Sequence, residues 1–257
     1  MTFEPQRTDL QIKRRIAPAP KPLGRKAYGS IPHLPGSKFG DRDDRGVPEG
    51  EAALYLDRVN PGDRIVVQEK LDGSCVAICN LNGEIIPLIR AGYPAACSVW
   101  RQHRMFARWV RERQDRFALL LDDGDHCAGE WLVQAHGTRY LLGDQQPFVI
   151  FDHFQQGTRL PSHGAEARAV KHGFAFVPVL YSGAEALPLQ DALARLGEHG
   201  HYGAIDRAEG VVYRRETAGG IYLAKYVRPE AEPGRYLPGN DDPDAAVWNV
   251  PPSWLRD

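Results

Sequence analysis

The segment Glu69-Lys70-Leu71-Asp72-Gly73-Ser74 places a lysine where a β-like run ends, with a tight Asp-Gly turn before the next run begins. Two readings are open for it: an amine held in a fixed place between strands, or a solvated lysine on a surface turn. The pattern KxDG is short, so its weight rests on residues further along the chain. The nine histidines show no HxH or HExxH spacing, which argues against a zinc site. The four cysteines (Cys75, Cys79, Cys97 and Cys127) show no CxxC spacing and read as reduced, buried thiols of a cytoplasmic protein.

The elements that must carry these residues emerge from patterning. "RIVVQEK" leads through the Asp-Gly turn into "SCVAICNLNGEIIPLIR", where Asn82-Gly83 between two apolar runs predicts a type I′ hairpin. Ser98–Leu121 reads as one helix, its Trp100, Phe106, Trp109, Val110 and Phe117 facing a core. Strands are expected in "CAGEWLVQA", "PFVIFDHF" and "FAFVPVLY", with helices near Ala165–His172 and over Gly183–His199. "EGVVYRRE" and "IYLAKYVRP" close as a hairpin around Gly219-Gly220. Hairpin-paired strands with helices outside imply an antiparallel-rich α+β domain. Residues 1–50, rich in Pro, Gly and charge, read as a partly irregular extension in which Tyr28–Phe39 packs on the body. Residues 51–230 read as the main domain and 231–257 as a short tail.

Composition limits the partners. The 257 residues are 42% hydrophobic, and 32 Lys and Arg against 33 Asp and Glu give a net charge of −1, so polyanion binding must come from a local patch. The charged N-terminal stretch lacks the apolar core of a signal peptide, and no apolar run nears the roughly 20 residues of a membrane span.

Six segments in order resemble the motifs of the covalent nucleotidyltransferases, the polynucleotide ligases and mRNA capping enzymes. They are Lys70–Gly73, Arg90 in "IRAG", Glu130 in "AGEW", Phe151 in "FVIFD", "EGVVYR" at Glu209–Arg214, and "LAKYVRP" at Leu223–Pro229. "GEW…AHGTRY" and "EGVVYR" are most similar to ATP-dependent RNA ligases of the nick-joining branch. The resemblance implies a nucleotidyltransferase (ATP-grasp-like) domain of antiparallel sheets flanked by helices. The 28 residues after Pro229 predict no C-terminal OB-fold. The chain departs from the family at the last motif, which usually carries two lysines one residue apart, whereas this sequence has Lys225-Tyr226-Val227. Arg228 is a candidate for the missing charge.

The implied chemistry is attack by Lys70 on the α-phosphorus of ATP, transfer of AMP to a 5′-phosphate RNA end, and sealing to a 3′-hydroxyl, including in a nicked duplex. This setting would be RNA repair. The attack needs a neutral amine, and burial plus a nearby cation (Lys225, Arg90 or a metal ion) would disfavour the charged form. By the resemblance, Glu130 contacts the ribose, Phe151 stacks on adenine or is core alone, and Lys225 holds the α-phosphate. Glu209 would bind Mg²⁺ or Mn²⁺, and Glu69 would read the adenine or face solvent. Asp72 would bind ribose or fix the turn, and Gly73 would let the backbone pass close under the nucleotide. Alternatives are a DNA ligase, a stand-alone polynucleotide adenylyltransferase, or a non-catalytic binder of nucleic-acid ends.

For RNA itself, Arg101, Arg104, Arg108 and Arg111 are spaced three, four and three apart, which aligns them on one helix face. That face is either a phosphate-binding stripe or plain solvated surface. His136 and Arg139 would meet a phosphate or merely stabilise a turn. Tyr28, His33 and Lys38 would line a route to the RNA end or simply pack.

Overall fold

The computed structural model describes residues 20–40, 44–238 and 245–255. The expected irregular extension over residues 1–19 and the charged run at 41–43 lie outside the described residues, as do 239–244 and 256–257.

Among the described residues, ten strands and four further α-helices come after the short helix α1 (Ala53–Leu56). One sheet has the order β10-β9-β1-β8 and is antiparallel throughout: β1 is Arg64–Lys70, β8 Val179–Gly183, β9 Gly210–Thr217 and β10 Gly220–Val227. The other has the order β3-β2-β4-β5-β6, made of β2 (Ser74–Leu81), β3 (Glu84–Ile89), β4 (His126–Trp131), β5 (Phe148–Gln155) and β6 (Thr158–Arg159). The α+β class and the antiparallel pairing agree with the patterning. Asn82 and Gly83 have φ of 54° and 81°, the left-handed pair a type I′ hairpin needs. After β10 the described residues form turns and one 3-10 turn, Pro252–Leu255, and no barrel.

Two expected elements divide. Ser98–Leu121 is two helices, α2 (Arg101–Arg111) and α3 (Gln114–Leu120), because Arg113 leaves helical geometry and its guanidinium bonds back to the Trp109 carbonyl. The break lets Phe117 stack on Phe174 at 4.3 Å while Trp109 and Phe106 pack on Trp131 and Phe148. Trp100, expected in the core, is 55% exposed at the start of α2. The run "FAFVPVLY" splits at Pro178, which has no N–H to offer a ladder. Before it, β7 (Ala175–Phe176) pairs parallel with β5; after it, β8 joins β1 in the other sheet. The helices α4 (Ser162–Lys171) and α5 (Leu189–Leu196) stand near their expected places, α5 shortened by Pro188 before it and Gly197, at φ 69°, after it. Cys79 and Cys127 are buried, Cys75 is half-buried, and Cys97, against expectation, is exposed.

A buried ion pair joins the sheets. Arg214 of β9 donates to Asp152 of β5 at 2.5 Å, Tyr28 donates to the same carboxylate, and Arg159 stands 3.1 Å from it. Both Asp152 and Arg214 are almost fully buried. Asp152→Ala would leave the buried guanidinium with only Glu216, 3.6 Å from its Nε, as counter-charge, and a loss of about 3 kcal/mol is expected. Urea unfolding measures it; a loss under about 0.5 kcal/mol, the surface range, would show that this pair does not hold the sheets together.

The arm packs as expected: Ala27, Tyr28 and Leu34 are buried. It runs beside β10, with the Lys225 amide donating to the Pro32 carbonyl (2.9 Å) and the Leu34 amide to the Lys225 carbonyl (2.8 Å).

Candidate active site

The two sheets diverge around a cleft of about 790 Å³. Lys70 ends β1 in one sheet and Ser74 begins β2 in the other, so the four residues from Lys70 to Gly73 cross the junction. Glu209 immediately precedes β9 and Lys225 lies on β10; Glu130 lies on β4, Phe151 on β5, and Arg90 just after β3. Lys70, Glu69, Asp72, Gly73, Arg90, Glu130, Phe151, Glu209 and Lys225 all line this one cleft, although 155 positions separate the first lysine from the last.

Lys70 Nζ donates to Glu209 Oε2 in a close ion pair. Burial pulls the Lys70 ammonium down, but Glu209, Asp72 and Glu130 together outweigh it and raise its pKa. The expected neutral amine is therefore not what these side chains favour by themselves: three carboxylates face one ammonium and hold it charged. Burial pushes Glu130 up to about 8 and Glu209 up to about 7, with Asp72 adding repulsion to each and Lys70 opposing it. The cluster carries more negative charge than Lys70 can neutralise, a setting that favours a second cation.

This has a consequence for stability. A carboxyl raised in the folded state keeps a proton the unfolded chain has lost, so its contribution is full below its ordinary value of 4.5 and drains as pH rises towards about 8. The unfolding free energy of the wild type is expected to fall between these limits more steeply than that of Glu130→Gln. Equal slopes in urea titrations across that range would show that Glu130 ionises normally.

Asp72 fixes the turn. Its carboxylate accepts from the Gly137 amide at 2.7 Å and from Thr138, and its own amide donates to the Tyr140 hydroxyl. Gly73 is required by close packing within the protein: a Cβ there would lie 2.6 Å from the Trp131 carbonyl oxygen. The Gly73 amide donates to Glu130 Oε1 at 3.0 Å, which aims that carboxylate along the junction. Glu69 is buried, not solvent-facing. Its Oε2 accepts from the His201 amide, while Oε1 is buried with no partner, which suits it to accept from a ligand N–H. Phe151 is half-buried, lines the cleft, meets Tyr28 edge-on at 5.0 Å and packs against the core. Arg90 donates to Ser30 at 2.9 Å, and Lys225 stands 3.2 Å from Asp44, which also faces His33 at 3.2 Å. Burial and the charge of Lys70 lower the pKa of Lys225.

The residues named for RNA divide. His136 lines the cleft, its pKa pushed down to about 4 by burial. Arg139 is committed elsewhere: its guanidinium grips Asp206 through Nε (2.9 Å) and Nη2 (2.8 Å) and holds that carboxyl well below the usual range. On α2, Arg101, Arg104 and Arg111 are exposed, and three arginines of that face also bond carbonyls. Arg108 donates to the Trp254 carbonyl at 3.0 Å, Arg101 to that of Leu255, and Arg104 to the Ser98 and Val99 carbonyls. Arg228 points away from the main cleft into a smaller one, bonding the Gly197 carbonyl, and does not stand in for a lysine beside Lys225.

His103, unmarked among the arginines of α2, also lines the cleft. Its Nε2 is 2.8 Å from Ser74 Oγ and its Nδ1 is 2.7 Å from Ser98 Oγ, and burial lowers its pKa to about 4. Its spacing from Trp100 and Phe106 carries no signal that would have singled it out.

Among the described residues no group of three His, Cys, Asp or Glu side chains is placed to hold a metal ion alone. The donor set instead fits a hard cation bound by one or two carboxylates, Glu209 foremost, with phosphate oxygens completing the shell.

Among solved structures, an archaeal ATP-dependent RNA ligase matches with 21% identity over 65% of this chain and 43% of its own, at a TM-score of 0.43. The Naegleria gruberi RNA ligase with PPi matches with 17% identity over 65% of this chain and 50% of its own, at 0.49. The chain thus covers about half the length of these structures or less. No curated protein matches it. The family model for RNA ligases matches residues 63–227, from the start of β1 to the end of β10, and by that match the chain belongs to the RNA ligase family.

Proposed function

We propose that this chain is an ATP-dependent RNA ligase working through a lysyl-AMP intermediate, and that it joins a 5′-phosphate RNA end to a 3′-hydroxyl. The observation that carries the reading is the position of the Lys70 amine at the junction of the sheets. It faces Glu209 and Glu130 in a cleft that also holds an aromatic ring, a buried unpartnered carboxylate oxygen and a second lysine.

Lys70 nitrogen forms a bond to the α-phosphorus while the bond to pyrophosphate breaks, and the lysine proton must leave beforehand. Glu209 is what keeps that proton in place. Burial is the largest single influence on Lys70 and favours the neutral amine, and drawing Glu209 to another cation removes the foremost of the three carboxylates that oppose it. A divalent cation, Mg²⁺ or Mn²⁺, would neutralise phosphate charge when bound by Glu209. Phe151 offers its face to adenine, and Glu69 Oε1 offers an acceptor to an adenine N–H. Lys225 offers positive charge to the transferred phosphate and must exchange Asp44 for it.

The test is incubation with ATP labelled at the α-phosphate and Mg²⁺, then denaturing electrophoresis. Label that remains on the protein and is released by acid supports the reading, and its absence overturns it. Sealing of nicked duplexes with RNA or DNA on either side of the nick then identifies the polymer.

A further inference from the structure

The cations of the cleft differ in what holds them. Lys70 is on Glu209, Lys225 on Asp44 and Arg214 on Asp152, each a carboxylate, while Arg90 bonds the Ser30 hydroxyl and Lys26 also lines the cleft. Lys38, from the arm, lines the same cleft and donates instead to the Ala231 carbonyl, a neutral oxygen. An ammonium has three N–H donors, and that carbonyl accepts one of them.

Its location is set by backbone. The arm runs along β10 for several residues, and the Lys38 amide donates to the Val227 carbonyl at 2.9 Å. Lys38 therefore stands beside Val227, two residues beyond Lys225, where β10 presents a buried apolar side chain. The Val227 amide is in turn bonded to Ser37 at 2.9 Å, so both sides of this contact are tied. Lys38 is half-buried and anchored by its own amide.

We propose that Lys38 binds a phosphate of the nucleotide in this cleft, supplying from the arm the cation that β10 lacks at Val227. The proposal rests on reading the cleft as a nucleotide site. A bond from an ammonium to a phosphate oxygen is charge-assisted and roughly twice as strong as one between neutral groups, so phosphate competes well with the Ala231 carbonyl. On Lys225 the same phosphate must compete with Asp44, which makes Lys38 the more available of the two. The rival role is mechanical: Lys38 as a clasp between the arm and the segment that begins at Ala231.

Equilibrium titration of the full chain with ATP and Mg²⁺, and separately with adenosine, distinguishes these roles. For Lys38→Met the ATP Kd is expected to rise about 10-fold, with adenosine unchanged; Lys38→Arg is expected to recover most of the loss. A clasp would shift ATP and adenosine together, or neither, and either pattern overturns the proposal. Labelling with α-phosphate-labelled ATP keeps the two readings apart. Wild-type protein that takes no label but loses ATP affinity through Lys38→Met would overturn the ligase reading and leave the Lys38 site standing. Wild-type labelling with unchanged ATP affinity in Lys38→Met would overturn Lys38 alone.

Discussion

Lys70→Ala is expected to take no label from ATP while remaining folded. Among the described residues no other amine stands so placed: Lys225 is drawn to Asp44 and Lys38 to the Ala231 carbonyl, whereas Lys70 sits among Glu209, Glu130 and Asp72. The substitution also removes the charge that opposes those carboxylates, so their pKa values should rise further and the cluster should take up protons instead of unfolding. Label below about one-thousandth of wild type is the expected result. Sealing of a strand already carrying AMP at its 5′ end should persist, because that step needs no amine on the protein. Label retained by the Ala variant at more than trace levels would remove Lys70 from the chemistry. Loss of the cooperative unfolding transition would show that the lysine is structural.

Glu209→Ala is expected to slow labelling on the order of 100-fold or more, comparable to the loss when one donor of an oxyanion hole is removed. Two effects of opposite sign meet there. Loss of the carboxylate removes the foremost group opposing burial at Lys70 and shifts it towards its neutral form, but it also removes the leading candidate ligand for a divalent cation. If the second effect dominates, the rate will be low at every pH and will climb with added Mn²⁺. A variant that labels as fast as wild type at low metal concentration would mean that Glu209 serves only as the counter-ion of Lys70.

The candidates Lys70, Glu130 and Glu209 are legible because each sits at or beside a strand end whose neighbours announce it. An Asp-Gly turn comes after Lys70, "AGEW" surrounds Glu130 and "EGVV" begins β9. Local patterning of that kind survives in one dimension. Whatever depends on a partner far along the chain does not. The arginine spacing on α2 is real, but the carbonyls that Arg101 and Arg108 bond come from residues about 150 positions later. The break at Pro178 is written in the residue type, yet only pairing with β5 on one side and β1 on the other shows that the run changes sheets. The charge of Lys70 escapes the sequence for a related reason: burial alone predicts a neutral amine, and the carboxylates that reverse it come from a turn, from β4 and from the start of β9.

The pairing of the arm with β10 sets an order of events during synthesis. Ser37 and Val227 are 190 residues apart, yet they share a hydrogen bond at the wall of the cleft. The arm leaves the ribosome before β10 and must wait, without its partner strand, until the intervening residues have emerged. A nascent chain halted before Gly220 can pair β2 with β3 and β4, because those contacts are local, but it has no strand against which to lay Leu34 or Lys38. Nucleotide affinity should therefore appear late and abruptly as a stalled chain is lengthened past β10, well after the β2–β3 hairpin resists proteolysis.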